Sequence, residues 1–296
     1  MSESFKGVFA ALTTPFLEER IAPDFFRENI EKYNQFELAG YVVGGSSGES
    51  VQLTDDECAD LISTAVKAAA PGKTIIAGTA RQSTRLTVEF TNRAADLGAQ
   101  AALIVMPSYY KSLMTTEALK THYLVIAGKS KIPVIIYHIP QNTGIFPSSE
   151  LFVELSQHPN ILGVKDSSGN LSSFAETYPR MAGHSVYFLG AGSIIFPALM
   201  MGATGGILML GSVAPDLVAR LYRLFLEERW KEAAQLQRSL VPLNQAVTKN
   251  YGIPAAKYVL DQRGFHGGEP RLPLLPLDDS IKPRIQGILR NLGLID

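Results

Sequence analysis

A single cysteine, Cys58, stands among the 296 residues, and that scarcity removes two classes of protein at once. It has no partner for an intramolecular disulfide and cannot supply a Cys-rich metal site, which fits a reducing compartment. Histidine is also sparse: His122, His138, His158, His184 and His266 show no ligand spacing and no carboxylates cluster with them, so no metal site is expected. No apolar stretch reaches the roughly 18 residues that a membrane span needs. Neither sign of charge dominates. The 27 basic and 28 acidic side chains form no long run, which argues against nucleic acid or an anionic membrane as partner and leaves a small molecule as the default. The start, Met1 to Lys6, reaches core-like sequence at Gly7, leaving no room for a signal or transit peptide, and the expected location is the cytoplasm.

What is present is alternation. Short runs rich in Val, Ile, Ala and Leu predict strands at Gly7–Thr13, Gly40–Val43, Thr74–Gly78, Ala101–Met106, Pro133–Tyr137, Ile161–Lys165, Val186–Leu189 and Gly205–Met209. Amphipathic segments lie between them, near Asp24–Glu37, Thr54–Ala70, Thr84–Leu97, Thr116–Ala127, Ser148–Ser156, Leu171–Met181 and Ile194–Met201. Thr54 followed by Asp55, Asp56 and Glu57 reads as a capped, acid-rich helix start. Eight βα units favour a closed α/β barrel, a (β/α)8 TIM barrel over residues 1–214. Residues 215–296 read as a C-terminal helical extension of the same domain, because no linker-like segment precedes them. An open dinucleotide-binding sheet would need a glycine spacing that Gly44-Gly45-Ser46-Ser47-Gly48 lacks. Gly128-Lys129-Ser130 resembles the end of a phosphate loop, but Tyr123 stands where that loop needs glycine, and the tripeptide follows a helix. Gly205-Gly206 reads as a close backbone approach inside the barrel rather than as a phosphate site.

In such a barrel the chemistry sits at the carboxyl ends of the strands. Lys165 ends the apolar run Ile161-Leu162-Gly163-Val164 and is followed by Asp166-Ser167-Ser168-Gly169. Taken alone, a lysine there is more often one whose head reaches water at a strand end. Burial, however, pushes an amine toward its neutral, nucleophilic form, which suits Schiff-base chemistry. Tyr137 ends the preceding strand, so the two side chains are expected to be rim neighbours, the phenol serving as proton shuttle for an iminium-forming lysine. After the second strand, the glycines and hydroxyls of Gly44-Gly45-Ser46-Ser47-Gly48-Glu49 offer either a plain turn or a seat for a carboxylate. Tyr109-Tyr110 after the fourth strand are, as a pair, more often packing or interface residues.

Together these segments resemble the dihydrodipicolinate synthase and N-acetylneuraminate lyase family of class I, pyruvate-dependent aldolases. The resemblance spans nearly the whole length and rests on Gly7 to Phe16, Gly45-Ser46-Ser47-Gly48-Glu49, Tyr109-Tyr110, Tyr137-x-x-Pro140, Val164 to Gly169 and Arg271-Leu272-Pro273-Leu274. It implies a Schiff base between Lys165 and pyruvate or another 2-oxo acid, without metal or organic cofactor. By the same resemblance Tyr137 relays protons, Ser46 and Ser47 bind the pyruvyl carboxylate and assist the relay, Tyr110 reaches a neighbouring subunit's site, and the Ile207 carbonyl completes the pocket. A homotetramer, as a dimer of dimers, is the implied assembly.

Departures from the family pattern bear on the substrate. Asn142 stands where dihydrodipicolinate synthases carry an arginine suited to the acceptor's carboxylate, which argues against that activity. Ala191-Gly192 and Met209 replace the polar residues with which neuraminate lyases hold a long polyol. Within the family the chain most resembles the 4-hydroxy-2-oxoglutarate aldolases, through Pro140 to Gly144, Leu155 to Ile161, Lys165-Asp166-Ser167, Ala246-Val247-Thr248 and Tyr251 to Pro254. Those enzymes have asparagine where Ser47 stands here. The expected reaction is cleavage of a short 4-hydroxy-2-oxo acid, 4-hydroxy-2-oxoglutarate first, to pyruvate and an aldehyde, with Asn142 and Ser167 also contacting substrate. The runner-up is a 2-keto-3-deoxy-sugar-acid aldolase, for example one acting on 2-keto-3-deoxy-L-galactonate. A noncatalytic 2-oxo-acid sensor on the same barrel is the alternative of a different class.

Overall fold

The computed structural model describes residues 3–296; Met1 and Ser2, at the expected leaderless start, lie outside the described residues. Eight parallel strands close into a barrel: β1 Gly7–Ala11, β2 Gly40–Val43, β3 Thr74–Gly78, β4 Ala101–Val105, β5 Val134–His138, β6 Ile161–Asp166, β7 Val186–Leu189 and β8 Gly205–Leu208. Each pairs with its neighbours in sequence order, and β8 closes on β1 through Gly7 opposite Gly205. The expected strands therefore fall in place, to within a residue or two at their ends. The contact at the closure is so tight that a Cβ on Gly205 would come 1.9 Å from the Gly7 carbonyl oxygen. That is the backbone approach expected of Gly205-Gly206.

Helices cover the outside: α1 Pro23–Tyr33, α2 Asp55–Ala68, α3 Thr84–Asp96, α4 Thr116–Lys129, α5 Ser149–Ser156, α6 Leu171–Thr177, α7 Ile195–Met200 and α8 Pro215–Leu226. The start of α2 is a capping box, in which Glu57 N–H donates to Thr54 Oγ1 at 3.2 Å while Thr54 N–H donates to Glu57 Oε2 at 2.9 Å. Two orphan donors of the first turn are thereby satisfied. The helix α8 packs against β1, with the Tyr222 ring beside Gly7. Beyond it come α9 Trp230–Gln245, a π-helical turn Ala246–Asn250, α10 Gly252–Gln262 and α11 Lys282–Asn291. The helices missing from the strand-based reading are short turns at the barrel rim, Pro140–Thr143 and Leu210–Val213. A two-residue hairpin, Phe16–Leu17 with Arg20–Ile21, also went unforeseen, since its turn residues Glu18 and Glu19 adopt positive φ without the usual Asn-Gly signal.

Two apolar regions hold the fold. One lies between strands and helices and includes Tyr33, Leu61, Ile104, Leu151 and Leu221. The other fills the barrel interior with Phe9, Val42, Ile76, Leu103, Ile135, Leu162, Phe188 and Ile207, where the Phe9 and Phe188 rings meet edge-on at 5.4 Å. Side-chain alternation assigns each strand residue to one region or the other. Strand β6 breaks that alternation.

The break is a bulge. Val134 pairs with Ile161, but Ile135 pairs with Gly163, so one extra residue is accommodated in β6. Regular pairing would have set Tyr137 opposite Val164. With the bulge, Tyr137 pairs with Lys165 and His138 with Asp166. A one-residue shift exchanges the two faces of a strand, so the bulge lets both Leu162 and Lys165 face the barrel axis while Ile161 and Val164 pack outward. Gly163 makes it possible: its φ is 154°, and a Cβ there would lie 1.9 Å from the Val186 carbonyl oxygen.

Candidate active site

Lys165 is 5% exposed, at the carboxyl mouth of the barrel, with Nζ 3.9 Å from the centroid of the Tyr137 ring. A cation over the face of a phenol is attracted to the ring, and both side chains are thereby held at one point of the rim. The segment following Lys165 is fixed from several sides. Asp166 accepts from the Tyr187 hydroxyl at 3.0 Å and from the Ser168 N–H at 2.8 Å, while the Ser167 N–H donates to the His138 carbonyl at 2.9 Å. Burial beside the Asp166 carboxylate pushes the Tyr187 phenol far up, so it remains a donor. Burial lowers the His138 pKa, with Asp166 opposing, and its ring tilts against Phe152 on the outer side of the strand. Gly190 leaves the space that this arrangement needs: a Cβ there would stand 1.9 Å from Ser167 Oγ and 3.2 Å from Lys165 Cε.

A cavity of about 470 Å³ opens above Lys165. Of the residues singled out from the sequence, Ser46, Ser47, Tyr137, Asn142, Lys165, Ser167 and Ile207 all line it. Tyr110 does not. It is 65% exposed and stacks edge-on against Tyr109, itself 79% exposed, with ring centroids 5.0 Å apart. A neighbouring cavity of about 390 Å³ shares Ser46 and Tyr137 but holds Arg81 as its cation, and Arg81 is committed to Asp55 at 2.7 Å. Lys165 lines the former cavity only.

Ser46–Gly48 forms a single 3-10 turn, ended by Glu49 in the left-handed region at φ 57°. Glu49 is what ties this turn down. Its side chain is fully buried, Lys257 Nζ lies 2.7 Å from Oε1 in a close ion pair that lacks the angle of a directed hydrogen bond, and Oε2 accepts the Arg271 N–H at 2.9 Å. Lys257 donates in turn to the Glu269 carbonyl at 2.8 Å and stands over the Phe16 ring. Arg271 makes a two-pronged ion pair with Glu57 at 2.7 and 2.9 Å, which lowers the Glu57 pKa to about 2. The C-terminal extension thus anchors the hydroxyl-bearing turn from behind.

That extension also roofs the cavity, with Asn244, Val247, Thr248, Tyr251, Ile253 and Pro254 among the lining residues. Several of these stood in segments that carry the sequence resemblance, yet no role was assigned to them. Asn244 had a readable signal. Gln237 and Asn244, seven residues apart, interrupt the apolar face of α9 formed by Ala233, Leu240 and Leu243, and two buried amides on such a stripe call for partners. The structure supplies them: Gln237 Nε2 donates to the Gly192 carbonyl at 3.0 Å, Gln237 Oε1 accepts the Phe196 N–H at 2.9 Å, and Asn244 Nδ2 donates to Ser193 Oγ at 2.8 Å.

A barrel with an inward lysine on β6 and a phenol opposite it on β5 is a constellation that can be compared with known proteins. The pattern of the dihydrodipicolinate synthetase family matches residues 4–292. The chain belongs to that family. Dihydrodipicolinate synthetase relatives include the 4-hydroxy-tetrahydrodipicolinate synthase of an Exiguobacterium species, 34% identical over 282 residues that cover 95% of this chain and 96% of that protein. The enzyme of the same name from Archaeoglobus fulgidus is 30% identical, covering 98% and 99%. Among solved structures, the dihydrodipicolinate synthase of Aquifex aeolicus superimposes with a TM-score of 0.92 at 30% identity, over 98% of this chain and 99% of that one. The Acinetobacter baumannii enzyme, solved in complex with pyruvate, gives a TM-score of 0.92 at 29% identity with the same coverage. As a dihydrodipicolinate synthetase family member, the protein is a carbon–carbon lyase of the Schiff-base aldolase type. Among the described residues no helix is long and apolar enough to cross a membrane.

Proposed function

We propose that the protein cleaves a short 4-hydroxy-2-oxo acid to pyruvate and an aldehyde through a Schiff base on Lys165. The observation that carries this reading is the buried Lys165 side chain, with Nζ 3.9 Å from the Tyr137 ring centroid, lining a 470 Å³ cavity. Pyruvate bound in the related Acinetobacter baumannii enzyme supports the 2-oxo-acid half of the substrate. In this reading Lys165 Nζ attacks the C2 carbonyl and water leaves, giving a protonated imine that acts as electron sink. Ser46 and Ser47 hold the C1 carboxylate, completed by the Ile207 backbone, and assist proton transfer. Tyr137 takes the C4 hydroxyl proton, the C3–C4 bond breaks, and the electron pair passes into the imine as an enamine. The aldehyde departs, C3 is reprotonated, and hydrolysis frees pyruvate. The imine nitrogen is the only electron sink these steps use, so they need no metal or organic cofactor. Exposure of the stacked Tyr109 and Tyr110 supports a role for Tyr110 across a subunit boundary in a homotetramer, and the lone buried Cys58 fits a cytoplasmic enzyme.

For the aldehyde half, 4-hydroxy-2-oxoglutarate, giving glyoxylate, is the reading that the Pro140 to Gly144 segment favours, with Asn142 and Ser167 meeting the second carboxylate. One observation favours the 2-keto-3-deoxy sugar acids instead. Among the described residues Lys165 is the sole charged side chain lining the cavity, and no guanidinium or ammonium among them is left for a second carboxylate once it has reacted. The same neutrality weighs against the synthase reaction named for the relatives, whose acceptor also carries a carboxylate. A panel of 4-hydroxy-2-oxoglutarate, 2-keto-3-deoxy-L-galactonate, N-acetylneuraminate, and pyruvate with aspartate semialdehyde tests the reading. Pyruvate release from one of the first two supports it, and turnover of neither overturns it.

A further inference from the structure

The extension contributes a wall of the cavity that includes Asn244 and Thr248. Asn244 is 7% exposed, its Nδ2 donates to Ser193 Oγ at 2.8 Å, and its Oδ1 has no donor among the described residues. Thr248, one turn on, gives its hydroxyl proton to the Asn244 carbonyl at 2.6 Å. Both side chains line the cavity with their donors committed and acceptor lone pairs free. Gly192 lets the amide lie where it does, since a Cβ there would be 2.6 Å from Asn244 Oδ1. The wall is also rigid, because Gln237 ties the same loop to α9 through the Gly192 carbonyl and the Phe196 N–H.

A ligand that displaces water from an acceptor and brings no donor leaves it unpaired at a cost, and a ligand that brings a donor avoids that cost. A hydroxyl donates. An ionised carboxylate only accepts, and against two acceptor oxygens it finds repulsion rather than a partner. We infer that Asn244, held by Ser193 and flanked by Thr248, is a specificity-determining residue that selects substrates with an uncharged, hydroxylated tail beyond C4. The inference rests on the Schiff-base aldolase reading and goes further, in assigning the choice of aldehyde fragment to residues of the C-terminal extension. The occupant is a 2-oxo-3-deoxy acid whose aldehyde product carries hydroxyls, in preference to one whose product is a carboxylate.

The test compares kcat/KM for 2-keto-3-deoxy-L-galactonate with that for 4-hydroxy-2-oxoglutarate in the wild type, Asn244→Leu and Ser193→Ala. The wild type is expected to prefer the hydroxylated substrate. Asn244→Leu lowers the ratio about 10-fold or more, mainly through KM for that substrate, as expected for loss of a buried hydrogen bond. Ser193→Ala changes it in the same direction by less, and carries the test if Asn244→Leu fails to fold. A wild-type preference for the dicarboxylate, or a ratio unchanged in the variants that fold, overturns the inference. Borohydride trapping with pyruvate separates the two failures. A wild type that traps pyruvate while the ratio stays fixed refutes only the role of Asn244, whereas a wild type that forms no adduct removes the aldolase reading itself.

Discussion

Replacing Lys257 by methionine probes how the extension supports the turn that carries Ser46 and Ser47. The side chains of Lys257 and Glu49 are 1% and 0% exposed and 2.7 Å apart, so the substitution leaves a carboxylate enclosed with the Arg271 N–H as its remaining donor. Removing one member of a buried ion pair costs about 3–5 kcal/mol, most of it the penalty of the unpaired charge rather than the worth of the pair. The double variant Glu49→Gln with Lys257→Met removes both charges and is expected to lose far less than the sum of the single losses, leaving a coupling of about 2 kcal/mol or more. Urea denaturation of the four proteins measures these terms, and the rate of pyruvate trapping reports the turn. A loss under about 1 kcal/mol in Lys257→Met, or a double variant at the sum of the singles, would refute the reasoning.

Three further outcomes are expected. Tyr137→Phe keeps the ring beneath Lys165 but removes the phenolic proton, and turnover should drop roughly 100-fold or more in steady-state assays; a loss under about threefold would exclude it as the proton relay. Gly163→Ala places a Cβ 1.9 Å from the Val186 carbonyl oxygen at a φ of 154°, so it should destabilise the protein by about 3 kcal/mol or more and abolish trapping; a stable, active variant would show that the bulge does not depend on glycine. On the acid side, Arg271 holds the Glu57 pKa at about 2 and burial holds that of His122 at about 4, both below their unfolded values. The unfolded chain therefore binds more protons. Stability is expected to fall as pH drops from about 6.5 through 4 on account of His122, and again from about 4.5 toward 2 on account of Glu57; a urea midpoint unchanged between pH 7 and 4 would contradict this.

Much of the barrel was legible because its strands are short apolar runs closed by glycines and polar loops, and because a buried parallel strand tolerates little else. The pairing of Tyr137 with Lys165 followed from their places at the ends of consecutive strands. The reason that both face inward did not. It depends on an extra residue near Leu162 and Gly163, and a glycine in a strand signals either a bulge or a close approach without saying which. Four catalytic or binding candidates beyond that pair, Ser46, Ser47, Asn142 and Ser167, were legible as polar residues following strand ends, and the cavity collects them. Of its roof, only the amides interrupting the apolar face of α9 were legible; that Asn244 and Thr248 reach the cavity was not, since they lie some 80 residues beyond Lys165 and their position over the barrel mouth is set by tertiary packing. The buried Glu49–Lys257 pair was hidden for the same reason, although Glu49 stood within a motif already singled out. Tyr110 illustrates the opposite limit: it follows the end of β4, yet it is exposed and does not line the cavity that holds Lys165.

The central claim is that Lys165 forms a Schiff base with a 2-oxo acid. Incubation with pyruvate, borohydride reduction, intact-mass measurement and peptide mapping test it directly, with Lys165→Ala in parallel. One reduced pyruvyl group per chain, on the peptide containing Lys165 and absent from Lys165→Ala along with turnover, is the predicted result. No adduct, an adduct on another lysine, or a Lys165→Ala protein that still cleaves substrate would contradict it.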